Sequence, residues 1–367
     1  MGLSGDSISR VRHRRKAPGF RAPLLQWFDR SKRDLPWRRT KDPYAVWLSE
    51  VMLQQTQVVT VIPYWEKFLA KFPRVEDLAA APLEDVLQLW SGLGYYSRAR
   101  NLHRAAQAIV ALGGFPKTAE ALRELPGFGP YTSGAVASIA FDEPAPIVDG
   151  NVARVFSRLF VVEGAPGEKE REKKLWALAG EHVQGERPGD FNQALMELGA
   201  LVCRADNPTC LLCPVREECG ALKAGRVNEL PPPRVRAARK LLNLAVAVWE
   251  RDGELLFVRR EEKGLFGGLW ELPTVEYPVR DAELPERFES ALGTKVKLAE
   301  SLGVVRRTLT HRDLELHLFR VTGRGAPKAV QVKWVRPEKL SELGISTAMA
   351  EAVKHARSRQ AVSPRSS

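Results

Sequence analysis

Long hydrophobic segments are missing from this sequence. No run of about 18 consecutive apolar residues occurs, so no transmembrane helix is predicted. The first sixteen residues contain several basic side chains but no apolar stretch after them, which argues against a secretory signal. We therefore expect a cytoplasmic protein without a membrane partner, associated with the nucleoid if the host is bacterial.

Cysteine is scarce and confined to one segment. The four cysteines lie between Cys203 and Cys219, with six, two and five residues between them. A disulfide framework is not expected in a long chain that lacks an export signal. Four thiolates this close together favour a metal site, either zinc or a [4Fe–4S] cluster. The spacing alone does not decide between these two.

Positive charge, by contrast, is abundant. The chain has 367 residues, a formal net charge of +12 and a pI of about 9.7. The length predicts two domains. The basic balance indicates a polyanionic partner, although ribosomal and membrane-surface proteins share it. Residues 1–18 are predicted to form a basic flexible arm that adds attraction for phosphate.

Residues 19–222 are predicted to form an all-α domain. Its centre is the stretch Leu125 to Asn151, in which Gly127-Phe128-Gly129-Pro130 lies between two short helices. This is a helix-hairpin-helix pattern, whose outward amide groups suit a DNA phosphate; a plain tight turn is the alternative. The predicted helices are Pro23–Arg30, one that begins near Pro43, Val75–Ala80, Leu83–Trp90, Ser97–Val110, Ala119–Glu124, Tyr131–Phe141, Val152–Phe160, Arg171–Gln184 and Phe191–Val202.

Two carboxylates in this domain differ from ordinary surface acids. Glu50 follows Val46 and Trp47 by four and three residues, which places it on an apolar helix stripe. Burial there would raise its pKa, as a general acid requires; a side chain reaching solvent at the stripe's edge is the alternative. Asp149 stands at the start of a helix, where it is either a plain N-cap or an ionised group able to stabilise positive charge on a sugar.

Polar and aromatic loops complete the helical domain. An uncharged cluster around Gln55 either reads base edges or coats a helix. The loop Gly92 to Tyr96 is hinged by glycines and carries adjacent tyrosines, which suits either core packing or a wedge that enters a base stack.

The composition changes at 223–240, where three prolines and several basic residues predict a linker. Residues 241–358 are predicted to form an α+β domain, and 359–367 a disordered tail. The predicted strands are Leu244–Trp249, Glu254–Arg259, Gly264–Leu272, Val304–Thr310, Glu315–Val321 and Val330–Val335, with helices at Leu284–Leu292 and Ser346–Arg357.

Together these features resemble the endonuclease III-like DNA glycosylase superfamily, and within it the MutY-type adenine DNA glycosylases. The resemblance covers essentially the whole chain and is weakest from about Tyr277 onward. It rests on LPWR (Leu35 to Arg38), SEVMLQQTQV (Ser49 to Val58), GLGYYSRARNL (Gly92 to Leu102), PGFGPYTSGA (Pro126 to Ala135), VDGNVARV (Val148 to Val155) and ELGALVC (Glu197 to Cys203).

The resemblance implies two helical lobes, an active site in the cleft between them, and removal of adenine mispaired with 8-oxoguanine or guanine in double-stranded DNA. Glu50 would protonate the adenine, Asp149 would stabilise or trap the sugar cation, and Asn151 would position water or Asp149. Tyr131 replaces the Schiff-base lysine of strand-cleaving relatives, which implies a monofunctional glycosylase. The protein is expected to be a monomer. A [4Fe–4S] cluster would lie on Cys203, Cys210, Cys213 and Cys219. Substrate or DNA contacts are implied for Leu35, Arg38, Leu53, Gln55, Thr56, Leu93, Tyr95, Gly127, Gly129, Gln193, Thr310 and His311.

The C-terminal domain resembles a Nudix fold through Leu256 to Pro273. The helix PERFESAL does not match the metal-binding REUXEE pattern of Nudix hydrolases, so we expect a recognition domain. Relatives place an FSH loop on 8-oxoguanine, where this chain has Leu309-Thr310-His311. The alternatives are an endonuclease III-type lyase, a hydrolase of oxidised nucleotides and a noncatalytic DNA-binding protein.

Overall fold

The computed structural model describes residues 19–233, 238–262, 264–277, 281–325, 327–328 and 331–360. The predicted arm at 1–18 and most of the predicted tail lie outside these residues. Contacts between Cα atoms divide the described chain into two compact units. The first contains 19–47, 116–124 and 128–233, and the second contains 48–115, 125–127 and the residues from 238 onward.

The first unit is helical. A single apolar core, which includes the fully buried Phe156, Phe191 and Leu195, holds its helices together. Its helices are α1 (Arg21–Ser31), α7 (Ala119–Leu122), α8 (Pro130–Phe141), α9 (Gly150–Leu159), α10 (Lys169–His182), α11 (Pro188–Leu201) and α12 (Gly220–Lys223), and the unit boundary falls within α2 (Pro43–Leu53).

The second unit begins with the end of α2 and four further helices: α3 (Val58–Lys71), α4 (Val75–Ala80), α5 (Leu83–Leu89) and α6 (Ser97–Ala111). The sequence analysis missed α3. Its first residues, VVTVI, are mostly β-branched and weak helix formers, and Pro63 lies inside the helix. Val61, Trp65 and Phe68 are nevertheless buried at helical spacing, so packing of this apolar face overrides the local preference.

The same unit contains a mixed β-sheet. In its described part the order is β3-β2-β1-β6-β5, with β4 paired to β1 and β7 paired to β2. The central pair β1–β6 is parallel, and the other strand pairs are antiparallel. The strands are β1 (Lys240–Arg251), β2 (Glu254–Arg259), β3 (Trp270–Glu271), β4 (Thr274–Glu276), β5 (Val296–Thr308), β6 (Arg312–Gly323) and β7 (Val332–Val335).

Both faces of this sheet are covered, which explains why β1 is buried without interruption from Ala245 to Trp249. Successive side chains alternate between two apolar clusters. Val246 and Val248 belong to one cluster together with residues of α14 (Thr347–Gln360). Ala245, Ala247 and Trp249 belong to the other, together with residues of α13 (Leu284–Leu292). The prediction of an α+β second domain is confirmed.

The predicted strand Gly264–Leu272 is wrong over most of its length. Only Trp270–Glu271 forms a strand, and 264–268 form turns. Gly264, Phe266 and Gly268 all have positive φ angles, which a strand cannot contain. In addition, α14 continues to Gln360, past its predicted end at Arg357. None of the described helices is both long and apolar enough to cross a membrane.

Candidate active site

The predicted hairpin contains the turn that its glycines indicated. Gly127 has a φ of 79°, and a Cβ there would lie 2.6 Å from the Asn101 Cβ, so both the backbone angle and the space favour glycine. Phe128 is buried and stacks on Trp47 with ring centroids 5.3 Å apart. Gly129 is the N-cap of α8, and no atom lies within 4 Å of a Cβ built there. The exposed start of α8 is therefore open at Gly129.

Asp149 is the N-cap of α9, as its position indicated. Its Oδ1 accepts a hydrogen bond from the Val152 N–H at 2.7 Å, and its Oδ2 accepts one from the Asn151 Nδ2 at 3.0 Å. Burial raises the pKa of Asp149, and these two hydrogen bonds oppose that rise. The helix N-terminus favours the ionised carboxylate, as predicted, but the loss of solvation is the larger effect.

A chain of hydrogen bonds fixes the orientation of Asn151. Arg154 Nη2 donates to Asn151 Oδ1 at 2.8 Å and to the Gly199 carbonyl at 2.7 Å. Arg154 Nε donates to the Cys203 carbonyl at 2.7 Å. Because the Asn151 oxygen accepts from Arg154, its amide nitrogen is directed to Asp149. This network joins Asp149 to the start of the cysteine segment.

Glu50 is buried, with 5% of its surface exposed. Trp47 and Val51 on the same helix are also buried, at 1% and 6% exposure. The interpretation of Glu50 as a carboxylate on an apolar stripe is therefore confirmed, and the solvent-exposed alternative is wrong.

A second buried carboxylate, Glu197, was not singled out from the sequence as a functional residue. It is completely buried and forms ion pairs with Arg33 Nη2 at 2.7 Å and Arg38 Nη2 at 2.9 Å. Burial alone would raise the pKa of Glu197, but the hydrogen bonds from the two arginines together lower it to about 2. Removing one partner of a buried ion pair lowers the free energy of unfolding by about 3–5 kcal/mol. Because Glu197 would be left without that partner if Arg38 moved away, the ion pair holds Arg38 in place. The available signal was an acid placed directly between two apolar residues of α11, Met196 and Leu198.

The other predicted residues of the first unit lie on its helices and on the loop before α2. Tyr131 is half-buried, and its hydroxyl donates to Met196 Sδ at 3.2 Å. Gln193 is half-buried on α11, and Leu35 is buried with 6% exposure.

The four cysteines are half-buried and free of disulfides. Burial raises the pKa of Cys213 to about 12, and the pKa values of Cys210 and Cys219 are raised for the same reason. Such thiols keep their protons at neutral pH unless a metal replaces them. Arg158 is buried beside them, and its Nη1 donates to Cys203 Sγ at 3.4 Å. Four sulfur donors next to a buried cation fit an anionic iron–sulfur cluster.

Within the described ranges, no three His, Cys, Asp or Glu side chains approach closely enough to hold one metal ion. A cluster binds each cysteine to a different iron, so its ligands need not converge on one point.

In the second unit, four predicted contact residues lie on the turn after α2 and on the loop before α6. Gln55 and Tyr95 are exposed and have positive φ angles of 57° and 47°. Leu93 is buried, and Thr56 is half-buried; Leu53, at the end of α2, is also half-buried.

The structure brings the loop that carries Tyr95 and the predicted 8-oxoguanine loop together. The Tyr95 hydroxyl is hydrogen-bonded to Thr310 Oγ1, although the two residues are far apart in the sequence. Both line a cavity of about 450 Å³, together with His311. Among the described residues, the full lining of the cavity is 94–97, Arg100, 264–267 and 308–312. Exposed hydroxyl, imidazole and backbone groups therefore line one opening.

These features define a helix-hairpin-helix DNA glycosylase with a Nudix-like domain. They are the helical fold, the hairpin, the carboxylates Glu50 and Asp149, and the appended mixed sheet. Residues 48–181 match the model of the HhH-GPD superfamily of base excision DNA repair proteins, and 244–355 match that of the NUDIX domain. The solved structure of a thermostable thymine-DNA glycosylase is similar at 31% identity and a TM-score of 0.50, over 56% of this chain and 95% of that one.

Comparison with named proteins identifies the family within this class of DNA glycosylases. The adenine DNA glycosylase of Homo sapiens is 40% identical over 90% of this chain and 72% of its own length. That of Mus musculus is 38% identical over 90% of this chain and 76% of its own. The chain belongs to the adenine DNA glycosylase family and is a base excision repair enzyme that cleaves N-glycosidic bonds.

Proposed function

We propose that this enzyme removes adenine mispaired with 8-oxoguanine, or with guanine, from double-stranded DNA, with Glu50 as general acid. The observation that carries the proposal is the contrast between two carboxyl groups. Glu50 is buried on an apolar helix face, whereas Asp149 accepts two hydrogen bonds at a helix N-terminus. Such a difference in surroundings lets one group hold a proton while the other is ionised.

In the proposed reaction, Glu50 donates its proton to the adenine ring, and the bond between C1′ of the sugar and the adenine nitrogen breaks. The electron pair of that bond leaves with the base. Asp149 stabilises the positive charge on the sugar, or bonds to it, until water attacks C1′. Asn151, which donates to Asp149 Oδ2, holds that carboxylate in place.

Tyr131 is the basis for proposing a monofunctional enzyme. A phenol cannot form the imine through which strand-cleaving glycosylases act, and the Tyr131 hydroxyl is hydrogen-bonded to Met196. We expect a duplex with adenine opposite 8-oxoguanine to break only after alkali treatment. Strand breaks without alkali would contradict this proposal, and the absence of breaks under both conditions would favour a noncatalytic DNA-binding protein.

We propose that the cavity beside Tyr95 receives the 8-oxoguanine, with Thr310 and His311 as contacts. Thr310 exposes a hydroxyl on the hairpin between β5 and β6, where it bonds to Tyr95. We expect Thr310→Ala to lower kcat/KM for adenine opposite 8-oxoguanine about 5- to 20-fold, because one hydrogen bond is lost. Adenine opposite guanine should be cleaved at the wild-type rate. Equal losses on both substrates, measured in parallel, would remove Thr310 from damage recognition. Thr322→Ala, at an exposed position of β6, is the control.

The C-terminal domain is proposed to recognise DNA without hydrolysing nucleotides. The helix that would carry metal-binding glutamates is α13, whose sequence is LPERFESAL. Its Glu289 instead accepts a hydrogen bond from the Val296 N–H at 3.1 Å, which is a structural role.

We propose that Cys203, Cys210, Cys213 and Cys219 bind a [4Fe–4S] cluster. The four sulfur donors and the neighbouring Arg158 support this assignment. We expect the purified protein to contain about four irons and four sulfides per chain and to absorb visible light. Cys213→Ser should lose both signals and much of its thermal stability, whereas a zinc content of one per chain would overturn the assignment.

The domain limits are likewise a proposal: 19–222 for the glycosylase domain, 223–240 for the linker and 241–358 for the Nudix-like domain. The change from helices to a mixed sheet across the linker supports these limits. The compact units differ from them, because 48–115 are grouped with the C-terminal residues. We further propose a monomer that acts on chromosomal DNA.

A further inference from the structure

Arg98, near the start of α6, is buried beneath two loops. It is 8% exposed, which is unusual for an arginine. Its Nη1 donates to three carbonyl oxygens at the end of α2: Val51 and Met52 at 2.9 Å, and Gln54 at 2.6 Å. A helix leaves its last carbonyl groups without intrahelical partners, and a cation at that end is also favoured by the helix dipole. Arg98 therefore caps the helix that carries Glu50.

The second terminal nitrogen of Arg98 holds the other loop. Nη2 donates to the carbonyl oxygens of Leu93 at 3.1 Å and Gly94 at 3.2 Å, and to Thr56 Oγ1 at 3.2 Å. The guanidinium also lies over the rings of Trp90 and Tyr95, 5.3 and 5.5 Å from their centroids. Burial lowers the pKa of Arg98 to about 10, so the group stays charged at neutral pH.

Each of these two loops carries a strained, exposed residue. Gln55 and Tyr95 have left-handed backbone angles although neither is glycine. Such a conformation is energetically unfavourable for a residue with a side chain, and it persists only where surrounding contacts enforce it. The carbonyls that Arg98 binds lie next to both residues, at Gln54 and Gly94. One guanidinium therefore supplies contacts that hold both left-handed turns.

We propose that Arg98 is a positioning residue for base extrusion, which holds Gln55 and Tyr95 together as one preformed wedge. The inference rests on the proposed function, in which these two side chains enter the duplex. A preformed wedge places its side chains without a further ordering cost when the stacked pair is opened. Lysine cannot replace this arginine, because its single ammonium cannot span two sets of carbonyl groups.

The test compares Arg98→Lys with the wild-type enzyme on two duplexes under single-turnover conditions. One contains adenine opposite 8-oxoguanine, and the other contains adenine opposite an abasic site, where no partner base holds it. We expect the rate on the paired substrate to fall about 10- to 100-fold, and the rate on the unpaired substrate to fall less than about threefold. A reduced folded fraction would lower both rates by the same factor, so their ratio isolates extrusion.

Two further measurements complete the design. The fluorescence of 2-aminopurine in place of adenine reports extrusion directly, and its rise on binding should be smaller for Arg98→Lys. Arg104→Lys is the matched control. Arg104 is exposed on the same helix, and its described side-chain hydrogen bond is to Asn101, on the same helix. This control should behave as wild type on both duplexes.

Equal losses on the two duplexes, or no loss on either, would overturn the role of Arg98. Tyr95→Ala should show the same preference for the unpaired substrate, and combining it with Arg98→Lys should add little further loss. A wild-type enzyme that excises adenine from neither duplex would instead contradict the proposed function itself.

Discussion

We expect the Glu50→Gln variant to excise adenine about 10²- to 10⁴-fold more slowly than the wild-type enzyme, the range that general acid catalysis contributes. Glutamine has nearly the same shape as glutamic acid, so it should fit the buried site. It has no acidic proton to give to the departing base. The loss should therefore appear in the chemical step and not in binding.

Single-turnover rates on adenine opposite 8-oxoguanine measure that step, and fluorescence anisotropy with the same duplex measures binding. Glu66→Gln is a suitable control, because Glu66 is exposed on α3. Unchanged excision by Glu50→Gln would remove Glu50 from the chemistry. Loss of binding together with excision would show that Glu50 is needed for the shape of the site.

The second large effect is expected for Asp149→Asn. Asparagine is as good an N-cap as aspartate, so α9 should keep its start at Gly150. The variant loses only the negative charge that the proposal places beside the sugar cation. By analogy with other groups that stabilise charge in a transition state, we expect excision to slow about 10²- to 10³-fold.

The pH dependence of the rate provides an independent check on Asp149. The proposed role needs the ionised carboxylate, and burial raises the pKa of Asp149 above its ordinary value of about 3.9. As the pH falls through this raised pKa, the carboxylate gains a proton and excision should decline. The acidic decline should therefore lie at a higher pH than the titration of an ordinary aspartate and be absent from Asp149→Asn.

Asp77→Asn provides the matched control, since Asp77 bonds to Arg74 at another helix start and is not part of the proposed site. An acidic decline that persists unchanged in Asp149→Asn would assign it to a different group. Thermal melting of both variants separates a catalytic effect from loss of the cap.

Local patterns predicted most of the helical domain. Asp149 was expected at a helix start and Glu50 on an apolar stripe because caps and helical periodicity involve residues within a few positions of each other. The turn at Gly127 follows from the same kind of rule. The helix α3 was missed because its β-branched start and internal proline disfavour a helix locally, whereas packing of its apolar face stabilises it. Residues 264–268 were predicted as strand because the apolar residues there concealed a turn rich in glycine.

The sequence by itself determined the family, the two domain types, the confinement of all four cysteines to one segment, and the positions of Glu50 on an apolar stripe and Asp149 at a helix start. Only the tertiary structure decided that Glu197 pairs with Arg33 and Arg38, that Tyr95 bonds to Thr310, and that Arg98 joins two loops. The physical reason is the distance along the chain. Tyr95 and Thr310 are 215 residues apart, and no local spacing encodes a contact that forms only when the sheet and the helices pack together.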